Sequence, residues 1–585
     1  MTLRSIAGLV GLNLFVLGVG SGVLWGMRGW RSWTEVARLS GVAYLLGISA
    51  FYVLLTVELV LGIPFGPAAF VTTGLGLVVG GYLTGRSRRR EKPDLEPHTS
   101  AAFGSSLVGA VFVGAMIVYF QSLFRAGRLS DFGWDVWASW VPKAKGIYYS
   151  GGIDPEFFAS LPGAAYPPGI PALHAAAFYA MGSADAVTLH LQYWFLAVGF
   201  AVAVAGLLST RVRATILLPL LLLVVLMPDL RNRATDLHGD IPLGYLVAAG
   251  ALLMLLWIED RRTWKLAAAT VLLGGAMMTK REGILFAVCV VVAALAATFR
   301  ERRGAWPRIA VAGIVAFALS LPWRVWFTLR DIQSDAPEAG YLGIFSNLDR
   351  AWPSLELVVD ALFDYDLWLV VPTLGVAAAV LAYFAGARRE GVFAVAFFAT
   401  SVIGCAWTFW TNPSIELATA AGVVNRVVGT PILVTAALTP LLLELAWRGR
   451  ADAPDGTTSP RTRSSQKARA RVAVAIVVVA LAVYPAVTLA GGKPRFPSAY
   501  DCVQAPVEGQ RVRVVFGYRD TYPEAILLRN RALAVGFLGM EAAQDGCGRV
   551  RVFVDDVPTI AVGEEVIREA GTVDLEPTLE FDSDE

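Results

Sequence analysis

The feature that most limits what this chain can fold into is a succession of apolar runs. Each is long enough to cross a hydrocarbon core of about 30 Å, which takes roughly 20 helical residues. The runs lie near 5–27, 41–62, 67–84, 101–124, 185–208, 214–229, 241–258, 265–279, 283–299, 308–328, 367–386, 391–411, 428–447 and 472–490. They predict an all-α polytopic membrane protein with a bundle of about fourteen transmembrane helices. Composition agrees: of 585 residues, 56% are hydrophobic and 16% charged, against about 25% charged in soluble domains. The first run is long and no small-residue cleavage site ends it, so it is expected to stay as a helix.

Net charge is only +2, which removes the global basic field a nucleic-acid partner would need. What matters is where the charges fall. Arg86, Arg88, Arg89, Arg90 and Lys92 fill one connection, and Arg261, Arg262 and Lys265 a second. Arg300, Arg302, Arg303 and Arg308 fill a third, Arg388 and Arg389 a fourth, and the stretch 447–471 a fifth. With the spans above, all five reach the same side, which the positive-inside rule makes the cytoplasm. The predicted location is therefore the plasma (inner) membrane, multi-pass. The extracytoplasmic side receives 125–184, "PDLRNRATDLHGD", "TKREG", 329–366, "TNPSIELATAAGVVNR" and everything after about 491.

Three units follow. Residues 1–100 hold three N-terminal helices and a basic linker, 101–490 the main transmembrane module, and 491–585 a tail without apolar runs. In the tail, alternation in "RVRVVFGY" and "RVRVFVDD" predicts strands, whereas "TYPEAILLRNRALAVG" and "TIAVGEEVIREAG" have helical spacing. A small extracytoplasmic α/β domain is expected there. It carries two of the four cysteines, Cys502 and Cys547; on the oxidising side of a membrane these read as a disulfide, the other reading being two unrelated thiols.

Chemistry collects on the extracytoplasmic face. Asp131 and Asp135 precede Trp137, Trp140, Lys143 and Lys145 in "DFGWDVWASWVPKAKGIYYSGG". As a helix, this segment would align Trp137, Trp140 and Ile147 in a stripe suited to the headgroup level, with Asp135 as an N-terminal cap. "YPPGIPALHAAAFYAMG" is a proline-braced, half-length helix beginning at Tyr166. "TDLHGDIPL" brings His238 and Asp240 to the start of a helix, with Pro242 in a first turn that tolerates it. "MMTKREG" delivers Lys280 and Arg281 between two helices, and "VVNRVVG" places Arg426 just before another. Separated segments that deliver acids and bases to one face suggest a site. His174, His190 and His238 lack the mutual spacing of metal ligands.

The order of these elements over roughly 101–440 resembles the GT-C superfamily of integral-membrane glycosyltransferases: an acid opening "WD.W..W..KA", then "YPPG.P.L", "D.PL" and "TK.EG". That group includes protein O-mannosyltransferases, aminoarabinose transferases and mycobacterial arabinosyl- and mannosyltransferases, which use lipid-linked sugars. The resemblance implies a GT-C-like catalytic module at 101–490. Asp135 would be the base that deprotonates an acceptor hydroxyl, with Asp131 second. Lys280 and Arg426 would hold the donor phosphate, and Lys143, Lys145, Tyr166, His238, Asp240 and Arg281 would bind substrate around them. The "WWDYG" signature of oligosaccharyltransferases is absent, "FWTNP" at 409–413 being the nearest match.

The expected partners are a polyprenyl phosphate-linked sugar, a hydroxyl acceptor on a glycan, lipid or protein, and membrane lipid. No cofactor is required, because phosphate leaves without a strong general acid; a divalent metal stays open. One base opposite the leaving phosphate implies inversion at the sugar carbon. Two other classes compete: a transporter or flippase of lipid-linked glycans, and a polymerase or ligase of such glycans. The first would place charge near the bilayer midplane, and the second would not need Asp135.

Overall fold

The computed structural model describes residues 3–30, 32–87, 107–127, 135–161, 163–330, 332, 345, 347–412, 415, 417 and 420–452, and five short strand segments between 512 and 566. Asp131, Cys502, Cys547 and the expected span 472–490 lie outside the described residues. The described residues from 3 to 452 are helical, and a helix stands at the place of each of the thirteen expected spans that fall there.

Among the described residues, seven helices are long and apolar enough to cross a membrane, or nine if two bent pairs each count as one span. This is fewer than the fourteen runs suggested. Ala214–Val225 has 12 residues, about 18 Å of helix, short of the roughly 30 Å core. Glu282–Ala297 bends by 72° against Phe299–Ala318, and Leu348–Trp368 by 109° against Val371–Phe384. Apolar length alone does not reveal such breaks. At the second break Leu369 takes φ 56°, a region side-chain-bearing residues rarely visit.

The three N-terminal helices are built into the bundle. Asn13, Tyr44 and Gln192, from helices Leu3–Arg28, Trp33–Val60 and Ala186–Leu208, form one buried network: Asn13 donates to Gln192 at 2.9 Å, and the Tyr44 hydroxyl donates to Asn13 at 2.6 Å. In a lipid-facing bundle such bonds hold helices where the hydrophobic effect cannot. Lower on the same helix, the Tyr52 hydroxyl donates to the Gly275 carbonyl at 2.6 Å and meets Thr279 Oγ1 at 2.7 Å. Tyr52 thereby fixes the helix end that carries Lys280. Glu58, an acid inside an apolar run, accepts from the Thr73 hydroxyl of Pro67–Ser87, the helix-packing role its position suggests.

The second to fifth basic connections meet at one end of the bundle. Glu301 pairs with both Arg261 and Arg389, joining the second, third and fourth of them. Arg448 at the fifth donates to the Arg211 carbonyl at 2.8 Å.

In the tail, Val512–Val514 pairs antiparallel with Ile526–Leu528, and Val550–Val554 with Val557–Val562. The two expected strands are thus found, but strands also occupy parts of the two expected helices. The runs "ILL" and "VPTIAV" are too short for periodicity to separate helix from strand, and β-branched residues favour the latter.

Candidate active site

The site grows from the start of helix Asp240–Asp260. Asp240 sits in its first turn, where the helix dipole favours a carboxylate. Gly239 precedes it because nothing larger fits: a Cβ there would lie 2.7 Å from Trp140 and 3.0 Å from the Lys280 side chain. That opening lets the Lys280 ammonium reach Asp240 Oδ1 at 2.6 Å. Arg426, one turn into helix Ala421–Asp452, donates to Asp240 Oδ2 through Nε at 3.0 Å and Nη2 at 2.9 Å. Its Nη2 also reaches the Asp135 carboxylate.

Residues from four separated segments are therefore bonded into one cluster. Exposure divides them. The Asp240 and Lys280 side chains are 7% and 5% exposed, whereas Asp135 and Arg426 are 24% and 25% exposed. The first pair is a foundation and the second a working surface. Burial alone would lower the Lys280 ammonium, but Asp240 and Glu282, the latter 3.3 Å away, hold it above its ordinary value.

Asp135 is not a helix cap. It occupies the capping position of Val136–Trp140 but makes no side-chain cap bond, its carboxylate going to Arg426. The headgroup stripe is also corrected. Trp140 and Ile147 are 1% and 0% exposed, because the segment is roofed over by the rest of the loop. Trp140 stacks on Tyr166, centroids 5.4 Å apart and planes 12° apart. The Tyr166 ring then faces Lys280 at 5.1 Å and Arg281 at 5.4 Å. Lys280 and Arg281 favour the phenolate, but burial and the nearby Glu282 and Asp240 outweigh them and push the phenol up to about 12. Tyr166 is a neutral, rigid wall carrying cations on its face.

Lys143 is buried beside the cluster, and Lys145 is buried within reach of the Asp185 charge. The Lys143 ammonium donates to the Gly163 carbonyl at 2.5 Å and lies 5.9 Å from the Tyr166 centroid; it braces the loop. Lys145 is pulled down to about 7 by burial, opposed by Asp185. His238 is 7% exposed, and its Nδ1 stands 3.8 Å from Asp236. Burial and the charge of Arg426 pull it down to about 4, so it is neutral at pH 7.

Arg233 belongs to this neighbourhood and was not singled out from the sequence. It pairs with Asp229 and lies over the Trp368 ring at 5.9 Å. Burial lowers it to about 10, with Asp240 opposing and Arg426 adding to that shift. Its signal was present in "PDLRNRATDLHGD", where an arginine shares a short loop with three acids. Among the described residues no group of three or more His, Cys, Asp or Glu is placed to hold a metal ion.

No family model matches this chain, and no curated protein matches it. A structure-level likeness exists to ArnT from Cupriavidus metallidurans bound to undecaprenyl phosphate: 16% identity, 76% of this chain and 77% of that chain covered, TM-score 0.40. At that identity and overlap no residue's role transfers, and the chemistry has to be argued from this chain's own side chains.

Proposed function

We propose that this chain is an inverting glycosyltransferase of the GT-C type. It moves a sugar from a polyprenyl phosphate to an acceptor hydroxyl on a glycan, lipid or protein, at the extracytoplasmic face of the inner membrane. One observation carries the reading: a single guanidinium, Arg426, bridges a partly exposed acid, Asp135, and a buried one, Asp240, which also holds Lys280. This supplies a carboxylate base and an anion-binding cation within one side chain's reach of each other.

In the reaction the acceptor hydroxyl gives its proton to the Asp135 carboxylate, and its oxygen attacks the anomeric carbon. The bond from that carbon to the phosphate oxygen breaks on the opposite side, and its electron pair stays on the phosphate. Arg426 and Lys280 stabilise the growing charge, a contribution of about 3 kcal/mol per well-placed donor. In the resting protein Asp135 is bound to Arg426. An arriving phosphate competes for that guanidinium and releases Asp135 toward the acceptor. Asp240 stays behind both cations and keeps them aimed. Arg281 and Tyr166 form the adjoining wall.

The cluster lies at helix ends, which favours an enzyme at the membrane surface over a carrier with a midplane site. The test is transfer from a panel of radiolabelled polyprenyl phosphate sugars by reconstituted protein, wild type beside Asp135→Asn. Turnover in the wild type that is lost in the variant, with donor binding kept, supports the assignment. Full turnover in the variant would sink it.

A further inference from the structure

At the opposite end of helix Asp240–Asp260 lies a cavity of about 260 Å³, lined by Arg38, Arg211, Asp260, Arg262, Trp264 and Lys265 over a floor of leucines. The space far exceeds the ~15 Å³ that a single water needs. We propose that it is a binding site for a phosphate-bearing anion, presented by an anionic phospholipid headgroup at this membrane face. The proposal does not depend on the transferase reading.

Charge is the first reason. Four cationic side chains line the cavity against one carboxylate. Asp260 accepts from Arg211 at 2.8 Å, lies 3.6 Å from Arg262 and pairs with Lys265, while Glu259 meets Arg211 at 3.4 Å. Arg38 donates to the Gly206 carbonyl at 3.0 Å. Counted as charge, four cations stand here against the two acids.

Burial is the second reason. A topology signal needs only to sit in a loop, in water. Here Lys265 is 3% exposed and the Arg211 side chain 13%, so the cations are folded inward around a space. The third reason is the helix that starts here. Thr263–Thr279 has no side-chain cap and no acid in its first turn, so its positive end adds to the field, and Asp260, which accepts from the Arg262 N–H at 3.2 Å, is the one carboxylate lining the cavity beside it. Leu39, Leu207 and Leu256 complete the wall. Cations beside leucines suit a headgroup joined to acyl chains better than a fully hydrated ion.

The test uses the full chain purified in neutral detergent. Thermal unfolding midpoints are titrated with dioleoyl phosphatidylglycerol, dioleoyl phosphatidylcholine and inorganic phosphate. Phosphatidylglycerol is expected to raise the midpoint saturably, and phosphatidylcholine far less. Arg262→Gln or Arg38→Gln should weaken the apparent affinity for phosphatidylglycerol about tenfold, the loss of one charged hydrogen bond. Leu207→Trp, which fills the cavity without removing charge, should weaken it too, so the result does not rest on one variant's folding. Saturable stabilisation by inorganic phosphate with no response to the lipid would keep the anion site but assign it to a soluble phosphoryl compound. Equal phosphatidylglycerol affinity in wild type and all three variants, or equal affinity for the zwitterionic lipid, overturns the proposal.

Discussion

Helix Asp240–Asp260 begins and ends with an aspartate held by cations, and the two ends are put together differently. Asp240 is 7% exposed and bound by Lys280 and Arg426; Asp260 is 24% exposed and bound by Arg211, Lys265 and, more loosely, Arg262. The helix dipole explains the extra partner. It favours a carboxylate at the first turn and opposes one at the last, so the second site needs more positive charge to hold an acid. What each end leaves over differs as well. At the Asp240 end a second acid, Asp135, shares Arg426. At the Asp260 end the surplus is cationic and faces a cavity. On the two proposals above, one end would serve a proton acceptor beside an anion site and the other an anion alone.

Exchanging each aspartate for asparagine is the strongest way to break that comparison. Asp240→Asn leaves the buried Lys280 and the partly exposed Arg426 without their shared counter-charge. It should cost about 3–5 kcal/mol of stability, and at least about 100-fold in transfer through misplaced cations. Asp260→Asn, at a more exposed acid that is paired with the buried Lys265, should cost about 1–3 kcal/mol with transfer within about threefold of wild type. Detergent-solubilised melting and single-turnover transfer measure the two effects. Equal losses of turnover would mean that the ends act as one site.

Arg426→Lys comes next. A lysine keeps the charge but cannot reach two carboxylates with a planar fork. Transfer should fall about 10- to 100-fold, with the donor's KM rising. At the other end Arg211→Lys should leave transfer unchanged, since Arg211 meets Asp260 and Glu259 and no part of the Asp240 cluster. A donor KM that stays put in Arg426→Lys would remove the phosphate from this guanidinium.

The residues flanking the helix make a smaller and sharper contrast. Gly239 has φ −72°, which any residue can adopt; it is glycine for want of space. Arg261 has φ 58°, where glycine is usual, yet keeps a side chain that pairs with Glu301 and lies 4.7 Å over Trp257. Gly239→Ala should cost about 1–3 kcal/mol by overpacking against Trp140 and Lys280, with a loss of transfer through the displaced ammonium. Arg261→Gly should be close to neutral, relief of about 1 kcal/mol of backbone strain offsetting the lost pair. Chemical denaturation of both variants checks this.

These flanks mark where reading the sequence stops. The spans were legible because a 20-residue apolar run has few other uses. Asp135, Asp240, Lys280 and Arg426 were legible because charge at the end of such a run has to find a partner or water. The breaks at Thr298 and Leu369 were not, since bending depends on neighbours. Nor was the interior position of Trp140 and Ile147. Their spacing shows which residues share a face, but whether that face meets lipid headgroups or a second layer of protein is decided by the loop above it. Arg233 was hidden for the same reason, its stacking partner Trp368 arriving from a distant helix pair. The tail's strands escaped because runs of three to six residues carry too few periods.

Acid provides the gentlest probe, because among the described residues the Asp240 end holds a histidine and the Asp260 cavity is lined by none. His238 is buried and neutral there, pulled down to about 4 from 6.5. Above pH 6.5 it is uncharged both folded and unfolded and contributes no pH dependence. Between 6.5 and 4 the unfolded chain takes up a proton that the folded chain refuses, so stability falls as pH falls, by about 1.4 kcal/mol per unit and about 3 kcal/mol in all. Below about 4 the difference stays constant. His238→Gln should flatten this part of the stability profile, while the Asp260→Asn profile keeps it. His174, lowered to about 3 by burial and His190, titrates in a similar window, so the comparison is made in a His174→Gln background. An unchanged slope in His238→Gln would mean that water reaches the imidazole and that the Asp240 end is more open than its 7% exposure implies.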